Sequence, residues 1–361
     1  ALEEAGRVVA APGAVARRLL VPLVRPAIGL ASLIVFALAF SELGVPMFLR
    51  VKVYPAMVFT RLGGIDYAPG EAFALVLPLV AVALLLLAGE RAAAHRTTFA
   101  ALGVRGMDRP PLPLGSARAA ATLYAAAVAS ISLVPVAALA LRAWSGGGFS
   151  HVAEWIGSTL GNTLAPAAIA ALITVLLGLI AGRALAQRRP GAGVLDVVAV
   201  LGFVAPAAVL GVGLIGLWNR PATAWVYRGT AILVLGYLAR YAAIGIRTAA
   251  VVIAQSPRSL EDAAAVCGAG YFTRLLRIVW PLHRPGLVAA GVLTMLFCMR
   301  DLEMAVLFYP PGLEPLPVRI FTLEANGPEP VVAALAVVHV ALTAAVAAIG
   351  AVLVAWTRRR A

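Results

Sequence analysis

Charged residues are scarce in this sequence of 361 residues. Asp, Glu, Lys and Arg make up 12% of the chain, while 62% of the residues are hydrophobic and the mean hydropathy is +0.96. Water-soluble proteins carry about a quarter charged residues. The composition therefore excludes an ordinary soluble domain and places the chain in a lipid bilayer.

Lysine is almost absent, since Lys52 is the single lysine and lies between Val51 and Val53. A phosphate-binding loop requires Gly-Lys-Ser/Thr, so we do not expect this chain to hydrolyse ATP. The four histidines are scattered and form no His-Glu-x-x-His pattern. The sequence also has no pair of aspartates of the kind that forms an intramembrane catalytic site. We predict no catalytic residue and no enzymatic activity in this chain.

Cysteine is also rare, with only Cys267 and Cys298 present. Two cysteines so placed do not suggest a disulfide framework or a metal site, and the chain lacks a Tyr/His cluster that would hold a hard cation. We predict no bound metal or other cofactor. No signal peptide is visible, and the chain begins at Ala1 inside a motif described below, so we interpret it as a fragment.

Long runs without charge are abundant. About 20 apolar residues in a helix are needed to cross roughly 30 Å of hydrocarbon. The runs predict an all-α, polytopic membrane protein with about eight transmembrane helices in this fragment. The predicted spans are about 26–47, 71–89, 118–142, 163–183, 194–218, 230–252, 285–306 and 331–356.

Basic residues are distributed unequally between the segments that connect these spans. If residue 1 is cytoplasmic, the cytoplasmic segments hold 19 basic residues and the outer segments hold eight. Positive charge accumulates on the cytoplasmic side of membrane proteins. The net charge of +13 therefore indicates orientation rather than nucleic-acid binding, and both ends of the chain are predicted to be cytoplasmic.

One segment occurs twice. LEEAGRVVAAPGAVARRLLVPLVRP at 2–26 is matched by LEDAAAVCGAGYFTRLLRIVWPLHRP at 260–285, and Phe59-Thr60 is matched by Phe321-Thr322. Such internal similarity indicates a repeated structural unit. We predict three parts: 1–89 is the C-terminal part of a first repeat, 90–117 is a cytoplasmic linker, and 118–361 is a complete second repeat of six spans.

The second copy predicts a helix–turn–helix elbow. Ser259 is a candidate N-cap, and Glu261 and Asp262 follow in the first turn, where acids favour the positive end of a helix. Gly268 and Gly270 then allow a tight turn that needs positive φ or a bare backbone. A second helical segment, 271–279, is predicted to end at Trp280-Pro281, where the next span begins.

The two copies resemble the EAA loop of permeases from binding-protein-dependent ABC importers. The matching positions are Glu261, Ala263, Ala264, Gly268 and Pro281 in the second copy, and Glu3, Glu4, Ala5 and Pro22 in the first. The first copy has Ala10 where the family has Gly and is one residue shorter, so we expect the two loops to be unequal. The stretch Asn162-Thr163-Leu164, with Gly178 and Ala181, also resembles a membrane signature of this family.

The resemblance, which extends over essentially the whole chain, implies an ABC importer permease (MetI-like) fold in two tandem copies in a bacterial inner membrane. In the family, the EAA loop docks into a cleft of the ATPase. The implied partners are two ATPase subunits, which carry ATP and Mg, and a soluble or lipid-anchored periplasmic substrate-binding protein. Two alternatives stay open: an elbow that is only a capped connection, and a secondary transporter, although such transporters often have inverted repeats.

The cargo is indicated only by short similarities. The fusion of two copies resembles the ferric-iron branch of these permeases, as do the strings Ser41-Glu42-Leu43-Gly44 and Tyr309-Pro310-Pro311-Gly312. Iron is therefore the expected cargo. Thiamine permeases share the fusion, and thiamine, polyamine, phosphonate or another small solute remain alternatives.

Two arginines and three acids lie at predicted membrane depth, where ionisable groups are candidates for function. Arg240 and Arg247 are seven residues apart and share a helix face. Arg247 is expected to extend to the cytoplasmic surface, whereas Arg240 either pairs with an acid or has a functional role. Glu42 aligns with Asp301, and Glu303 follows, so a role in the pathway and a role at the interface of the two halves are both open for these acids.

Overall fold

The computed structural model describes residues 12–15, 17–18, 21–63, 69–95, 118–256 and 259–359. Within these ranges the chain forms helices and turns and no strand. Its contacts divide it into two compact units. The first comprises Ala1–Leu102 with Val200–Val212, and the second comprises Gly103–Ala199 with Gly213–Ala361.

The helices follow one another through short connections. Residues 12–95 form α1 (Pro12–Val15), α2 (Val21–Ser41), α3 (Gly44–Phe48), α4 (Tyr54–Gly63) and α5 (Pro69–His95). The remaining helices are α6 (Arg118–Ser145), α7 (Gly148–Ile156), α8 (Thr159–Leu177), α9 (Arg183–Ala186), α10 (Ala192–Val204), α11 (Ala207–Trp218), α12 (Ala224–Tyr227), α13 (Ala231–Ala254), α14 (Ser259–Val266), α15 (Tyr271–Arg274), α16 (Trp280–Arg300), α17 (Leu302–Phe308), α18 (Leu316–Asn326) and α19 (Glu329–Arg359).

Most predicted spans correspond to one long apolar helix. Among the described residues, six helices are long and apolar enough to cross a membrane, or seven if one bent pair counts as a span. A further helix, α2, has 21 residues and occupies the place of the first predicted span. The chain is thus an all-α, multi-pass membrane protein.

The predicted span 194–218 is not one continuous helix. Helices α10 and α11 are separate and bend by 112° at the break between them. Pro206 lies in this break. Proline donates no N–H and disfavours helical backbone in the residue before it, here Ala205, so the helix ends there.

The predicted span 285–306 is misplaced. The helix runs without interruption from Tyr271 to Arg300, through a π turn at Leu275–Val279. It stops at Asp301, whose extended backbone (φ −76°, ψ 96°) separates it from α17. The Asp301 carboxylate accepts a hydrogen bond from the Met304 amide at 2.9 Å, which caps the short helix that follows.

The same order of elements occurs twice along the chain. Helices α2 to α5 contain 21, 5, 10 and 27 residues, and α16 to α19 contain 21, 7, 11 and 31. Each series begins with a long helix, and an acid follows it. Glu42 accepts bonds from the amides of Gly44 (3.1 Å) and Val45 (3.4 Å), which is the position that Asp301 has in the second series.

Each unit has its own apolar core. In the first unit, Val58, Ala72, Val76, Leu79 and Ala208 form a buried cluster. In the second, α13 closely crosses the π turn Gly178–Gly182, which continues the span after α8, because glycine lies at this contact. A Cβ added to Gly178 would lie 2.6 Å from the carbonyl oxygen of Gly245, and one added to Gly182 would lie 2.6 Å from Ala249 Cβ. Small residues at such crossings allow helix backbones in membranes to approach each other.

Candidate functional site

The elbow, residues 259–279, consists of α14, a turn, α15 and the π turn. Gly268 has a φ of +83°, and the amide of Gly268 bonds to Ala265 O (3.0 Å) while that of Ala269 bonds to Ala264 O (2.9 Å). This pair of bonds is a Schellman cap, which places glycine in the left-handed conformation just after a helix. Gly270 has an ordinary φ of −64° and precedes α15.

Ser259 is the first described residue of α14, and its predicted N-cap role depends on residues 257–258, which lie outside the described residues. One detail of the predicted elbow is wrong. Pro281 does not end the second helix. A π turn directly precedes it, in which the Trp280 amide bonds to Leu275 O, and the helix continues past the proline. A proline near the start of a new helical register loses no hydrogen bond that this register requires.

Glu261 is bound inside the protein. Its Oε2 accepts hydrogen bonds from Arg183, including one from Nε at 3.0 Å, and from Gln187 Nε2 at 3.3 Å. The Arg183 side chain is 2% exposed and that of Glu261 is 15% exposed. The pair therefore joins α14 to α9, at the end of the span that begins with α8.

The second part of the elbow packs on the same region. The Arg183 guanidinium lies over the Tyr271 ring, 4.7 Å from its centroid. Leu275 and Val279 are buried in a cluster with Leu179 and Ile253. The elbow is thus attached by its inner face to the ends of α8 and α13.

The outer face of the elbow is apolar and exposed. Val266 is 89% exposed and Phe272 is 72% exposed, and Leu260 and Leu276 are also exposed. The predicted motif residue Ala263 is exposed, whereas Ala264 and Pro281 are half-buried. Exposed apolar residues in contiguous patches mark surfaces that bind partners.

A small cavity lined by both polar and apolar residues lies behind the elbow. It has a volume of about 110 Å³, and its lining includes Glu261, Gln187, Ser256 and His283. His283 Nδ1 lies 2.8 Å from the carbonyl oxygen of Val279, and Nε2 lies 2.8 Å from the Ser256 hydroxyl. Because a carbonyl only accepts, Nδ1 donates and Nε2 accepts from Ser256.

The first copy of the motif falls almost entirely outside the described residues. Glu3, Glu4, Ala5 and Ala10 lie in the segment 1–11, which the structure does not describe. Pro22 is the second residue of α2 and is exposed.

Arg240 lies in a buried ionic cluster. Its Nη1 is 2.6 Å from Glu303 Oε2 and 3.5 Å from Asp301 Oδ2. The Tyr241 hydroxyl donates to Asp301 Oδ2 at 2.7 Å. Arg240, Asp301 and Glu303 are all buried, so in this conformation they stabilise the contact between α13 and α17.

Arg247 does not simply extend to the surface, as the sequence led us to expect. Its guanidinium makes two hydrogen bonds to the Asp196 carboxylate, from Nε at 2.8 Å and from Nη2 at 3.0 Å. Asp196 is buried in α10. A buried carboxylate needs a paired cation, which accounts for the position of this arginine.

The residues that resemble the membrane signature lie at both ends of the span that α8 begins. Asn162 Nδ2 donates to Glu314 O at 3.2 Å, and Thr163 Oγ1 accepts from the Leu316 amide at 2.8 Å. These bonds hold the start of α18 on α8. At the other end, Gly178 begins a π turn, Gly178–Gly182, which also contains the half-buried Ala181.

Sequence reasoning missed Arg183, Gln187 and Asp196. No sequence pattern assigned a role to Arg183 or Asp196. The sequence did contain a signal for Asp196. It is the single acid in the predicted span 194–218, and the next predicted span, 230–252, carries arginines with which such an acid can pair.

Curated proteins similar to the chain are transport permeases. The chain is 30% identical over 201 residues to the permease protein PhnV of Salmonella paratyphi A, whose name assigns it to a 2-aminoethylphosphonate transport system, with 54% of this chain and 72% of PhnV covered. It is 29% identical to the trehalose transport system permease protein SugB of Mycobacterium tuberculosis (42% and 55% covered). It is 28% identical to the ferric transport system permease protein FbpB of Actinobacillus pleuropneumoniae (40% and 21% covered).

No protein-family model matches the chain. Among solved structures, the inward-facing MetNI methionine ABC transporter is similar at 18% identity and a TM-score of 0.48, with 56% of this chain and 96% of that chain covered. The extent and identity of the match to PhnV define the class of protein. The chain belongs to the permeases of ABC importers.

Proposed function

We propose that this chain forms the translocation path of an ATP-driven importer in a bacterial inner membrane. In this proposal the elbow and the segment 2–26 each dock on one of two ATPase subunits, which bind ATP and Mg. A soluble or lipid-anchored periplasmic protein delivers the cargo. The supporting observation is the elbow itself, which is apolar and exposed outside and joined by ionic and apolar contacts inside.

We also propose that the chain contains the end of one repeat (1–89), a cytoplasmic linker (90–117) and a complete second repeat (118–361), with the C-terminus in the cytoplasm. The repeated order of helices supports this division. The acids Glu42 and Asp301, which cap equivalent short helices, belong to the same argument.

Ferric iron is the cargo that we propose, with phosphonate as the alternative. The aligned residues cover 40% of this chain but 21% of FbpB, so FbpB is long enough for two such repeats, as the fused architecture requires. PhnV supports phosphonate because its match is longer and covers most of its length. Uptake of labelled ferric iron and of 2-aminoethylphosphonate into vesicles that contain the complete importer would distinguish the two.

A crosslinking experiment tests the docking. Ala265 is exposed on the elbow. In a Cys267→Ser background, a cysteine at position 265 should crosslink to a cysteine in the ATPase cleft, and the complex should hydrolyse ATP in response to loaded binding protein. Val128→Cys, on an exposed face of α6, is the control and should not crosslink. Transport that needs no ATPase subunit would instead indicate a secondary transporter.

A further inference from the structure

Three parts of the second unit meet at the Arg183 guanidinium. Glu261 in α14 accepts two of its hydrogen bonds, Tyr271 in α15 lies against its face, and Gln187 completes the group by bonding to the same Glu261 oxygen. We call Arg183, Glu261 and Gln187 the latch. The latch connects both helices of the elbow to the C-terminal end of one span.

The latch leaves Glu261 poorly suited to contact a partner directly. Its carboxylate is largely enclosed, and the cation that it binds is almost fully buried. To pair Glu261 with a residue of another subunit would leave the Arg183 charge buried without its partner, which is strongly unfavourable. A docking partner instead meets the exposed side of the elbow, where Val266 and Phe272 lie.

The helical segments that carry Arg183 and Tyr271 each adjoin a π turn. The π turn Gly178–Gly182 ends directly before Arg183. The second π turn, Leu275–Val279, begins directly after α15. Leu179, Leu275 and Val279 from these turns pack in one cluster. Single π turns inside α-helices are frequently found at functional sites. Here the first lies in the span that α8 begins, and the second is the part of the elbow that leads into α16.

We propose that Arg183 is a positioning residue for energy coupling, and that Glu261 transmits the movement of the elbow to the α8–α9 span through Arg183 rather than by touching the ATPase. The latch makes α14 move with the end of the α8–α9 span, so a displacement of the elbow by the ATPase reaches that span directly. This inference rests on the proposed docking of the elbow.

The test is a charge swap in the complete importer, reconstituted with its ATPase and binding protein. Arg183→Glu and Glu261→Arg alone should each lower cargo transported per ATP hydrolysed by roughly tenfold, within the range typical of coupling between two sites. The double variant restores an ion pair with reversed direction and should recover most of the lost coupling. A direct contact between Glu261 and the ATPase predicts no recovery, because position 261 would still carry the wrong charge.

Asp196→Arg is the matched control, because it breaks another ion pair, between buried Asp196 and partly exposed Arg247, that does not involve the elbow. It should lower the yield of folded complex but leave transport per ATP unchanged. If Arg183→Glu has only that effect, the latch is merely structural and the inference is wrong.

If the reversed charges prevent assembly, Arg183→Lys and Glu261→Gln replace them. Lysine keeps the positive charge but lacks the planar group that binds both oxygens of a carboxylate. The inference therefore predicts that Arg183→Lys partly lowers cargo transported per ATP hydrolysed. If this ratio is unchanged in both Arg183→Lys and Glu261→Gln, the inference is contradicted.

The wild-type complex separates this inference from the proposed function. If it neither binds the ATPase nor hydrolyses ATP in response to loaded binding protein, the proposed function fails. If it does both and only the swap fails to restore coupling, the latch inference alone fails.

Discussion

Two glycines close together in the elbow have different physical roles. Gly268 occupies the left-handed region, where an L-residue with a Cβ is disfavoured by about 1–2 kcal/mol, and it forms the Schellman cap of α14. Gly270 has a backbone conformation that any residue adopts. No neighbouring atom lies within 4 Å of a Cβ built at either position, so only backbone conformation distinguishes them.

Gly268→Ala should therefore destabilise the end of α14, and Gly270→Ala should not. The expected loss of about 1–2 kcal/mol corresponds to roughly 5- to 30-fold faster amide exchange. Hydrogen–deuterium exchange at the Ala269 amide measures it, since that amide bonds to Ala264 O. Equal exchange rates in the two variants would show that the positive φ is not required.

Arg240 should be a large contributor to stability. Arg240→Ala leaves Asp301 and Glu303 buried without their cation, and we expect the free energy of unfolding to fall by about 3–5 kcal/mol. Arg228→Ala, at an exposed position, is the control and should change it by about 0.5 kcal/mol or less. Reversible unfolding in mixed detergent, followed by circular dichroism, compares them. Similar losses in both variants would mean that the cluster does not contribute.

At the scale of helices, the crossing of α13 with the span that α8 begins depends on a bare backbone. Gly178→Ala would place a methyl group 2.6 Å from Gly245 O, so the helices would have to separate. We expect a loss of about 1–3 kcal/mol in the free energy of unfolding.

Gly161→Ala provides a matched control in the same span, because no neighbouring atom lies within 4 Å of its added Cβ. Replacement of glycine by alanine inside a helix stabilises it by about 0.5–1 kcal/mol. The two variants should thus change stability in opposite directions. A loss in both would indicate that the span tolerates no alanine for reasons other than the crossing.

Apolar runs predicted where most helices lie, but prolines did not predict where they end. Pro78 and Pro135 lie inside continuous helices, whereas Pro206 lies at a 112° bend and Pro281 follows a π turn. Crossing a bilayer requires only length and apolarity, which a sequence displays. Whether a helix continues past a proline depends on neighbouring helices that supply packing and hydrogen bonds, and a local pattern does not contain them.

At the scale of the whole molecule, the two cysteines can be used to determine how the chain is oriented in the membrane. Cys267 is exposed on the elbow and Cys298 is buried. A membrane-impermeant thiol reagent should label Cys267 in inside-out vesicles and leave it unlabelled in right-side-out vesicles. Cys267→Ser should abolish labelling, because Cys298 reacts only after unfolding. Labelling from the outside would reverse the proposed topology.

The sequence indicated the elbow residues of the candidate site but not the residues that bind the elbow. Glu261 and Gly268 belong to a repeated motif, so local capping and turn chemistry indicated them. Arg183 lies 78 residues from Glu261, and Asp196 lies 51 residues from Arg247. Such pairs form through the packing of separate helices, and neither hydropathy nor periodicity contains that packing. Sequence therefore predicted the elbow, and structure was needed for its attachment.

The ionic contacts of Arg240 and Arg247 in α13 also impose an order on how the protein is made. Each arginine at the centre of a helix costs roughly 2.5–3.5 kcal/mol on insertion by the translocon. When α13 leaves the ribosome, Asp196 has already been synthesised, but Asp301 and Glu303, which neutralise Arg240, have not. We expect α13 to stay loosely held until α17 emerges. A nascent chain that stops before Asp301 should be extracted from membranes by urea, whereas one that extends past Glu303 should resist. Equal resistance would mean that α13 inserts without its later partners.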